Sequence, residues 1–497
     1  MQQSNALQHW FARLDRRAYA LLIGGTVGLI GAGLGILLTV AGPVIAVGAV
    51  MGVLAGLYVL TNVSAALYAV VAVIALLPFG TLPFKIAITP TLLDMAMGAF
   101  VLVYISMWMT GKRQQLRLTP VHALIAAYIL WLILSFALGL RYAPPTSAKL
   151  RQFAETLLSI SMVFILVDLL RDPAALRRLL LVFMLVIGLQ AAATIVLYVL
   201  PDTLTENILV RLARIGYPNG GVIRYIEDNP ALAERAIGTW VDPNALGGVL
   251  AVSSTLIATQ LFAHKPVLRQ RWLTLGIFGL VVIALFLTFS RASMLAFAVG
   301  LFFIAFLRYR RYIPLLIIGG LLLLLLPQTQ VYIERFVQAF TGADLATQMR
   351  IGEYTDSLRL ISRYPIFGVG FTGTPEIDLY TDVASTYLIM ANQIGLVGLS
   401  IFLLTMLTVF IYGLNAWRFA RNDAELDSVH LGFHAALLAA LANAVADLYF
   451  FRLDFQSSIT LFWLVVALAL ASSRLVYARL PTNSGQESTV AKPMAVL

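Results

Sequence analysis

The feature that most constrains this sequence is a series of apolar runs, each long enough to cross a lipid bilayer. A spanning helix needs about 20 mostly apolar residues. Hydrophobic residues make up 60% of the chain and charged residues 12%, and the mean hydropathy of +0.89 lies outside the range of soluble domains. The candidate spans are residues 19–41, 44–60, 63–79, 91–109, 121–140, 152–170, 177–199, 243–263, 272–289, 292–307, 313–327, 386–413, 430–448 and 457–477. The sequence therefore predicts an all-α polytopic membrane protein with about 12 to 14 transmembrane helices.

Short basic segments between these runs predict the orientation of the chain, because lysine and arginine accumulate on the cytoplasmic side. They contain Arg13, Arg16 and Arg17; Lys112, Arg113 and Arg117; Arg171, Arg177 and Arg178; Lys265, Arg269 and Arg271; Arg308, Arg310 and Arg311; Arg418 and Arg421. Both termini are then cytoplasmic. The first apolar run lacks a convincing cleavage site and is interpreted as a retained span. These segments account for much of the net charge of +10, so nucleic acid is not an expected partner.

Two connections, at about residues 201–244 and 328–385, are long, and both fall on the face opposite the basic segments. Loops beyond about 15 residues are uncommon unless they are functional or disordered. The stretches ENILVRLARIGY (206–217) and RIGEYTDSLRLI (350–361) have apolar residues at helical spacing, which predicts amphipathic helices lying over an outward-facing cavity. The predicted organisation is a cytoplasmic segment (1–18), transmembrane helices (19–200), a first external loop (201–243), central helices (244–327), a second external loop or lid (328–385), C-terminal helices (386–477) and a disordered tail (478–497).

One arginine stands inside the apolar sequence TFSRASMLAF, residues 288–297. By the predicted topology, Arg291 lies at the outer end of a helix. The other arginines predicted on this face are Arg141, Arg151, Arg211, Arg214, Arg224, Arg235, Arg335, Arg350, Arg359, Arg363 and Arg452. Arginine offers a planar fork of donors that binds phosphate in a bidentate way and stays charged when partly buried. The pattern favours a lipid-linked phosphate or diphosphate as ligand; the alternatives are ion pairs with nearby carboxylates and, for Arg291, snorkelling to the headgroups.

Three motifs resemble the O-antigen ligase and polysaccharide polymerase superfamily of bacterial inner membranes. The first is RAIGTWVDPNALGGVLA (235–251), with its Gly-Thr and Pro-Asn pairs. The second is SRASML (290–295), similar to the family's Ser-Arg pattern and Arg-x-x-x-Leu motif. The third joins RIGEYTDSLRLISRYPIFGVGF (350–371) to STYLIMANQIGLVGLSIFL (385–403), similar to the family's arginine, its Pro-x-x-Gly-x-Gly turn and the following helix. The resemblance covers about residues 235–413.

The resemblance implies a multi-spanning glycosyltransferase that takes a glycan from an undecaprenyl diphosphate carrier outside the cytoplasmic membrane. By motif position, Arg291 and Arg350 correspond to the arginine pair thought to hold the diphosphate, and Arg235 is expected to join them. Ser290, Asn244, Ser385 and Tyr387 are expected to support the site. Arginines can stabilise a departing diphosphate without a metal ion, so we expect no cofactor, and a single displacement would invert the sugar carbon.

The family's candidate base is a histidine of the large loop, and this sequence has Ala384 in its place, beside Ser385. The five histidines (His9, His122, His264, His430 and His434) fall near predicted cytoplasmic ends. Asp382 and Glu353 are the predicted catalytic carboxylates, with Glu376, Asp378 and Asp356 as neighbours. Each could instead pair with Arg350, Arg359 or Arg363.

Three functions fit these features. A polymerase would transfer a growing glycan to a repeat unit on a second carrier, which the many arginines and the missing histidine favour. A ligase would transfer the finished glycan to a lipid or other acceptor. A flippase or transporter is the alternative of another class, and it would predict inverted repeats and charges near the midplane. The expected partners are an undecaprenyl diphosphate-linked glycan and membrane lipids, with a chain-length regulator and a flippase as further candidates.

Overall fold

The computed structural model describes residues 43–82, 89–324, 345–373 and 383–480, together with six isolated positions between 24 and 39. Its α-helices are α1 (Pro43–Thr61), α2 (Val63–Leu76), α3 (Leu92–Met109), α4 (His122–Gly139), α5 (Ser147–Leu169), α6 (Pro173–Val199), α7 (Asp202–Arg211), α8 (Pro243–Leu261), α9 (Arg271–Leu287), α10 (Arg291–Arg308), α11 (Ile313–Leu324), α12 (Leu345–Arg363), α13 (Thr386–Ala420), α14 (Asp427–Asn443) and α15 (Gln456–Ala478). Short 3-10 turns lie at Leu212–Ile215, Ile226–Asp228 and Arg310–Tyr312. Contacts divide the chain into two units, Met1–Ala66 and Leu67–Leu497.

The helices confirm the predicted class. Eight of the described helices are long and apolar enough to cross a membrane, namely α3, α4, α5, α6, α8, α10, α13 and α15. Shorter apolar helices lie at Gly52–Thr61, Val63–Leu76 and Arg271–Leu287. Every predicted span from residue 44 onwards contains a helix, whereas the predicted span 19–41 lies mostly outside the described residues. The total of 12 to 14 spans stays a prediction.

Two helices, α8 and α15, form the centre of the larger unit. All of the apolar window of α15 is buried, as is 89% of that of α8. By contrast, α3, α4, α6 and α10 expose large apolar side chains, such as Leu102, Leu130, Leu189 and Phe302. A helix that is apolar on every side is stable inside a bundle, and one with an exposed apolar face is stable against lipid. The larger unit is therefore a bundle built around two buried helices.

The long connection after α6 carries a two-stranded antiparallel hairpin besides the helix α7. Strand β1 (Arg224–Tyr225) pairs with β2 (Glu234–Arg235), with Arg224 opposite Arg235. The amide of Ala236 then donates to the carbonyl of Leu287 at 2.8 Å, which joins this connection to the end of α9. The hairpin is too short to alter the all-α class, but it fixes the position of Arg235.

Helix α13, predicted as one span over residues 386–413, contains a break at Gly395. This glycine has φ 69° and ψ 176°, and an added Cβ would lie 2.0 Å from the carbonyl oxygen of Ile366. A residue with a side chain cannot adopt this conformation there. The break divides α13 into a short first segment, residues 386–394, and a long second segment, residues 396–420.

The turn PIFGVGF, residues 365–371, binds the backbone groups that the break releases. The amides of Val369 and Gly370 donate to the carbonyls of Asn392 and Gln393 at 2.8 and 2.9 Å. In return, the amide of Leu396 donates to the carbonyl of Pro365 at 2.7 Å. Buried backbone groups have to be paired, so the turn and the break stabilise each other.

Candidate functional site

Arg235 lies where α8 and α10 begin, and two hydrogen bonds orient its guanidinium group. Nε donates to the carbonyl of Thr288 at 2.9 Å, and one terminal nitrogen donates to Oδ1 of Asn244 at 2.6 Å. Burial lowers the pKa of Arg235, as does the charge of Arg291, while Asp242 opposes this change. Two of the three predicted phosphate ligands, Arg235 and Arg291, are thus neighbours.

Asp242 caps the start of α8, in the sequence DPN. Its Oδ1 accepts from the amides of Asn244 and Ala245 at 2.8 and 3.0 Å, and Pro243 follows as the first helical residue. An aspartate at the cap and a proline just inside it are typical of a helix N-terminus. Tyr449 lies beside both Asp242 and Asn244.

Asp447 lies among these charges although it comes from a different part of the chain, the connection between α14 and α15. It is only 3% exposed. Burial and the nearby Asp242 raise the pKa of Asp447 to about 7, and the charges of Arg350 and Arg235 oppose the increase. Arg350 of α12 and Arg235 of β2 therefore both lie close enough to Asp447 to lower its pKa. We call the residues Arg235, Asp242, Asn244, Arg291, Arg350, Asp447 and Tyr449 the arginine–aspartate cluster.

The backbone is strained at two positions beside this cluster. Val241, directly before Asp242, has φ 64°, and Phe289, directly before Ser290, has φ 51°. A branched or bulky residue in the left-handed region costs on the order of 1–3 kcal/mol, and such strain is often found at functional sites. The strain turns the chain sharply into the first residues of α8 and α10.

Ser290 and Ser293 hold the start of α10 against α8 and α14. Their hydroxyls are 2.9 Å apart, and Nδ2 of Asn443 donates to Oγ of Ser293 at 3.1 Å. A Cβ added at Gly247 would lie 2.7 Å from Oγ of Ser293, and one added at Gly248 would lie 2.9 Å from Oδ1 of Asn443. The glycines of the PNALGG sequence permit this close packing, which holds the first turn of α10, and with it Arg291, against α8.

The first residues of α13 contact both α12 and the connection between α14 and α15, which contains Asp447. Oε2 of Glu353 accepts from the amide of Ala384 at 3.0 Å, and the hydroxyl of Tyr354 donates to the carbonyl of Ala384 at 3.3 Å. The amide of Thr386 donates to the carbonyl of Asp447 at 2.8 Å. Ala384, which stands where related ligases are expected to have a histidine, is therefore held directly beside Glu353.

The structure brings most of the predicted site residues together. Arg235, Asn244, Ser290, Arg291 and Arg350 lie in or directly beside the cluster. Ser385 lies at the start of α13, and Glu353 of α12 contacts the preceding residue, Ala384. The hydroxyl of Tyr387 instead donates to the carbonyl of Leu441 at 2.8 Å, a contact between helices. Asp382, Glu376 and Asp378 lie outside the described residues.

For several other arginines predicted on this face, the alternative interpretation as ion-pair partners holds. Arg151 contacts Asp94 at 2.9 Å and Glu155 at 3.2 Å. Arg359 contacts Asp356 at 3.5 Å, and Arg452 contacts Asp454 at 3.3 Å. These arginines balance local carboxylates, so the interpretation as phosphate ligands does not extend to them.

Asp242, Asp447 and Tyr449 are the members of the cluster that sequence reasoning did not assign to the site. The capping pattern DPN could have identified Asp242. Asp447 begins the stretch DLYFFRLD (447–454), and no local pattern in that stretch predicts that it lies near α8 and α12. Among the described residues, no group of three or more His, Asp or Glu side chains is arranged to hold a metal ion.

The bundle of long apolar helices is that of a polytopic membrane protein, and arginines beside buried acids are an arrangement that can bind an anionic ligand. Residues 275–403 match a family model described as O-antigen ligase (Wzy_C), so this part of the chain is similar to that family. Its members are enzymes that transfer glycans, and the family implies lipid-linked glycan substrates. The matched region contains Arg291, Arg350 and Glu353, whereas Arg235 and Asp447 lie outside it. No curated protein matches the chain.

Proposed function

We propose that this protein is a cell-surface polysaccharide polymerase that acts on the outer face of the bacterial cytoplasmic membrane. It would transfer a glycan from an undecaprenyl diphosphate carrier to a lipid-linked repeat unit. The observation that carries this proposal is the arginine–aspartate cluster, because it combines three arginines with a buried acid at one end of a membrane bundle. The family match over residues 275–403 supports the lipid-linked glycan as substrate.

Arg235, Arg291 and Arg350 are proposed to bind the diphosphate. Guanidinium groups in a partly dry site stabilise the negative charge that develops on a leaving diphosphate. The hydrogen bonds from Arg235 to Asn244 and Thr288 use only part of its five donors, so the rest can reach a ligand. Asp447 is proposed to hold Arg235 and Arg350 close together in the absence of substrate.

The proposed reaction is a single displacement. A hydroxyl oxygen of the acceptor sugar forms a bond to the anomeric carbon while the bond from that carbon to the diphosphate oxygen breaks. The electron pair of the broken bond leaves with the diphosphate, and the hydroxyl proton passes to a carboxylate. The configuration at the anomeric carbon inverts. The arginines supply the positive charge, so the step is proposed to need no metal ion.

Glu353 is proposed as the carboxylate that accepts the proton. It accepts from the amide of Ala384, so it stands beside the position at which related ligases are expected to have a histidine. Glu353 is partly exposed, which leaves room for an acceptor, whereas Asp447 is buried with the arginines. Asp382 stays a second candidate on the strength of its sequence position.

Transfer to a different acceptor, as in a ligase, is the second candidate function. The description of the matched family as O-antigen ligase favours it. The ion pairs of Arg151, Arg359 and Arg452 also weaken the argument that many arginines are available for a second carrier. The absence of the loop histidine favours the polymerase.

The test is turnover of a synthetic undecaprenyl diphosphate-linked repeat unit by the purified protein in lipid nanodiscs. A polymerase produces a ladder of products from this substrate alone. A ligase produces a single shift, and only after a separate acceptor is added. No product under either condition, from protein that is folded, would overturn the assignment as a glycan transferase.

Two variants connect the activity to the site. Arg291→Ala is expected to abolish product formation, because it removes a diphosphate ligand. Arg359→Ala is the matched control, since Arg359 pairs with Asp356 on the exposed side of α12. If Arg291→Ala retains full turnover, the cluster is not the donor site.

A further inference from the structure

One face of α12 is buried against α13 and carries polar residues at helical spacing. Arg350, Tyr354 and Ser357 are four and three residues apart, which places their side chains on the same face. The side chain of Ser357 is completely buried, as is that of Leu360 one turn later. The opposite side of the helix is exposed, at Ile351 and Leu358 for example. Arg350, Tyr354 and Ser357 therefore lie on the side of α12 that faces the protein.

The side chain of Ser357 forms a hydrogen bond to Asn392 of α13. Its Oγ lies 3.0 Å from Oδ1 of Asn392, to which it donates, and Asn392 is 1% exposed. The backbone carbonyl of Asn392 also accepts from the amide of Val369. Asn392 thus joins α12, the turn 365–371 and the first segment of α13 just before the break at Gly395.

The first segment of α13 is attached at its other end to Asp447. The amide and the hydroxyl of Thr386 both donate to the carbonyl of Asp447 at 2.8 Å. Ser385 and Asn392 are seven residues apart, as are Arg350 and Ser357, so each pair spans about 10 Å along its helix. The two helices run side by side in the same direction, with Ser357 beside Asn392 and Arg350 near Asp447.

We propose that Ser357 and Asn392 are positioning residues, whose hydrogen bond sets the register of α12 against α13 and so places Arg350 beside Asp447. Displacement of α12 by one helical turn would move Arg350 by about 5 Å, beyond direct contact with a diphosphate held by Arg235 and Arg291. Neither Ser357 nor Asn392 is a member of the cluster, so their effect on the reaction passes through Arg350. The importance of this placement for turnover rests on the proposed function, but the placement itself does not.

The first test measures position without activity, and the chain is suited to it because it contains no cysteine. Arg350→Cys and Asp447→Cys are introduced together, and the yield of crosslinking with a short bis-thiol reagent is measured in nanodiscs. Adding Ser357→Ala or Asn392→Leu is expected to reduce the yield several-fold. Ser357→Thr keeps the hydroxyl, so its crosslinking yield is expected to stay unchanged. Ser254→Ala is the matched control, because this buried hydroxyl bonds the carbonyl of Leu250 within its own helix.

The second test measures, in the cysteine-free protein, whether the effect of an Arg350 substitution on kcat/KM depends on Ser357. Ser357→Ala is expected to lower kcat/KM about tenfold, and Arg350→Lys is expected to cost much less in that background than in the wild type. Arg291→Lys should cost the same in both backgrounds, since α10 does not depend on Ser357. If Ser357→Ala caused a general structural defect, the effects of Arg350→Lys and Arg291→Lys on kcat/KM would instead both be reduced in that background, or neither would be.

The outcomes separate the two proposals. Unchanged crosslinking with Ser357→Ala, or a loss of turnover from Arg350→Lys that is equally large in both backgrounds, would overturn the positioning role. If crosslinking falls as expected while Arg350→Lys has no effect on wild-type turnover, the positioning role is retained and Arg350 is removed from the proposed reaction. Thermal unfolding of Ser357→Ala and Ser254→Ala verifies that the compared proteins are folded.

Discussion

Replacement of Asp447 by asparagine is expected to remove most of the pH dependence of donor binding above neutral pH. Burial and the charge of Asp242 raise the pKa of Asp447 from an ordinary value of 3.8 to about 7, although Arg350 and Arg235 oppose the increase. Below this pKa the carboxyl group is neutral, and both guanidinium groups are available to a diphosphate. Above it, the carboxylate competes with the diphosphate for the same arginines.

The size of the effect follows from the same pKa. The increase from 3.8 to about 7 corresponds to about 4 kcal/mol in favour of the neutral carboxyl group. A bound diphosphate adds negative charge beside Asp447 and raises its pKa further. The Kd for the donor is therefore expected to increase about tenfold between pH 6 and pH 8 in the wild type, since one pH unit above the pKa reduces the protonated fraction about tenfold. In Asp447→Asn it should stay nearly constant.

Folding is linked to the same proton. The pKa of Asp447 is raised in the folded state, so between about pH 4 and pH 7 the folded protein holds a proton that the unfolded chain has released. The contribution of this group to stability is fully present below about pH 4 and is lost as the pH rises through 7. Asp447→Asn should therefore show a flatter dependence of the thermal unfolding midpoint on pH over this window.

The assay is equilibrium binding of a fluorescent donor analogue to protein in nanodiscs, from pH 5.5 to 8.5 at constant ionic strength. A diphosphate esterified at both ends has no ionisation near pH 7, so the ligand does not contribute to the profile. Glu234→Gln is the control, because burial and then Asp202 raise the pKa of Glu234 only to about 6. A tenfold weakening of donor binding that persists in Asp447→Asn, or that is absent from the wild type, would show that the Asp447 carboxylate does not compete with the donor.

Three further predictions follow from individual contacts. Arg291→Lys keeps the charge but removes the bidentate fork, so kcat/KM should fall by roughly tenfold to a hundredfold, in line with about 1.5–3 kcal/mol for a charge-assisted hydrogen bond; unchanged kinetics would show that only the charge matters. Gly395→Ala places a Cβ 2.0 Å from the carbonyl of Ile366 and should lower the thermal unfolding midpoint, whereas Gly276→Ala, with nothing within 4 Å, should not. Tyr387→Phe loses only the hydrogen bond to Leu441 and should cost about 1 kcal/mol of stability with turnover retained; loss of turnover at unchanged stability would instead give Tyr387 a role in the reaction.

Much of the site could be anticipated because arginine in an apolar setting is conspicuous. Arg291 follows directly from its position in TFSRASMLAF, and Arg350 from its place in an amphipathic stretch of a long connection. Asp447 could not be assigned in this way. Its raised pKa arises from burial and from Asp242 at the cap of α8, while Arg350 and Arg235 oppose the increase, and these residues are far apart in the chain.

The break in α13 shows a similar limit. Residues 386–413 have the hydropathy of one continuous span, and a single glycine in such a run has little effect on it. Gly395 interrupts the helix because the turn 365–371 binds the released carbonyls of Asn392 and Gln393. Local hydropathy cannot show that the amides of Val369 and Gly370, which are distant in sequence, bind these carbonyls.

That this chain is a helical membrane protein with arginines suited to phosphate can be read from the sequence, because the length of apolar runs and the chemistry of a side chain are local properties. The packing of the helices places Arg235 and Arg350 near Asp447, Arg291 near Arg235, and Glu353 beside Ala384. The reason is physical: electrostatic interactions and hydrogen bonds depend on distance in space, and these residues approach one another only when α8, α10, α12 and α13 pack together.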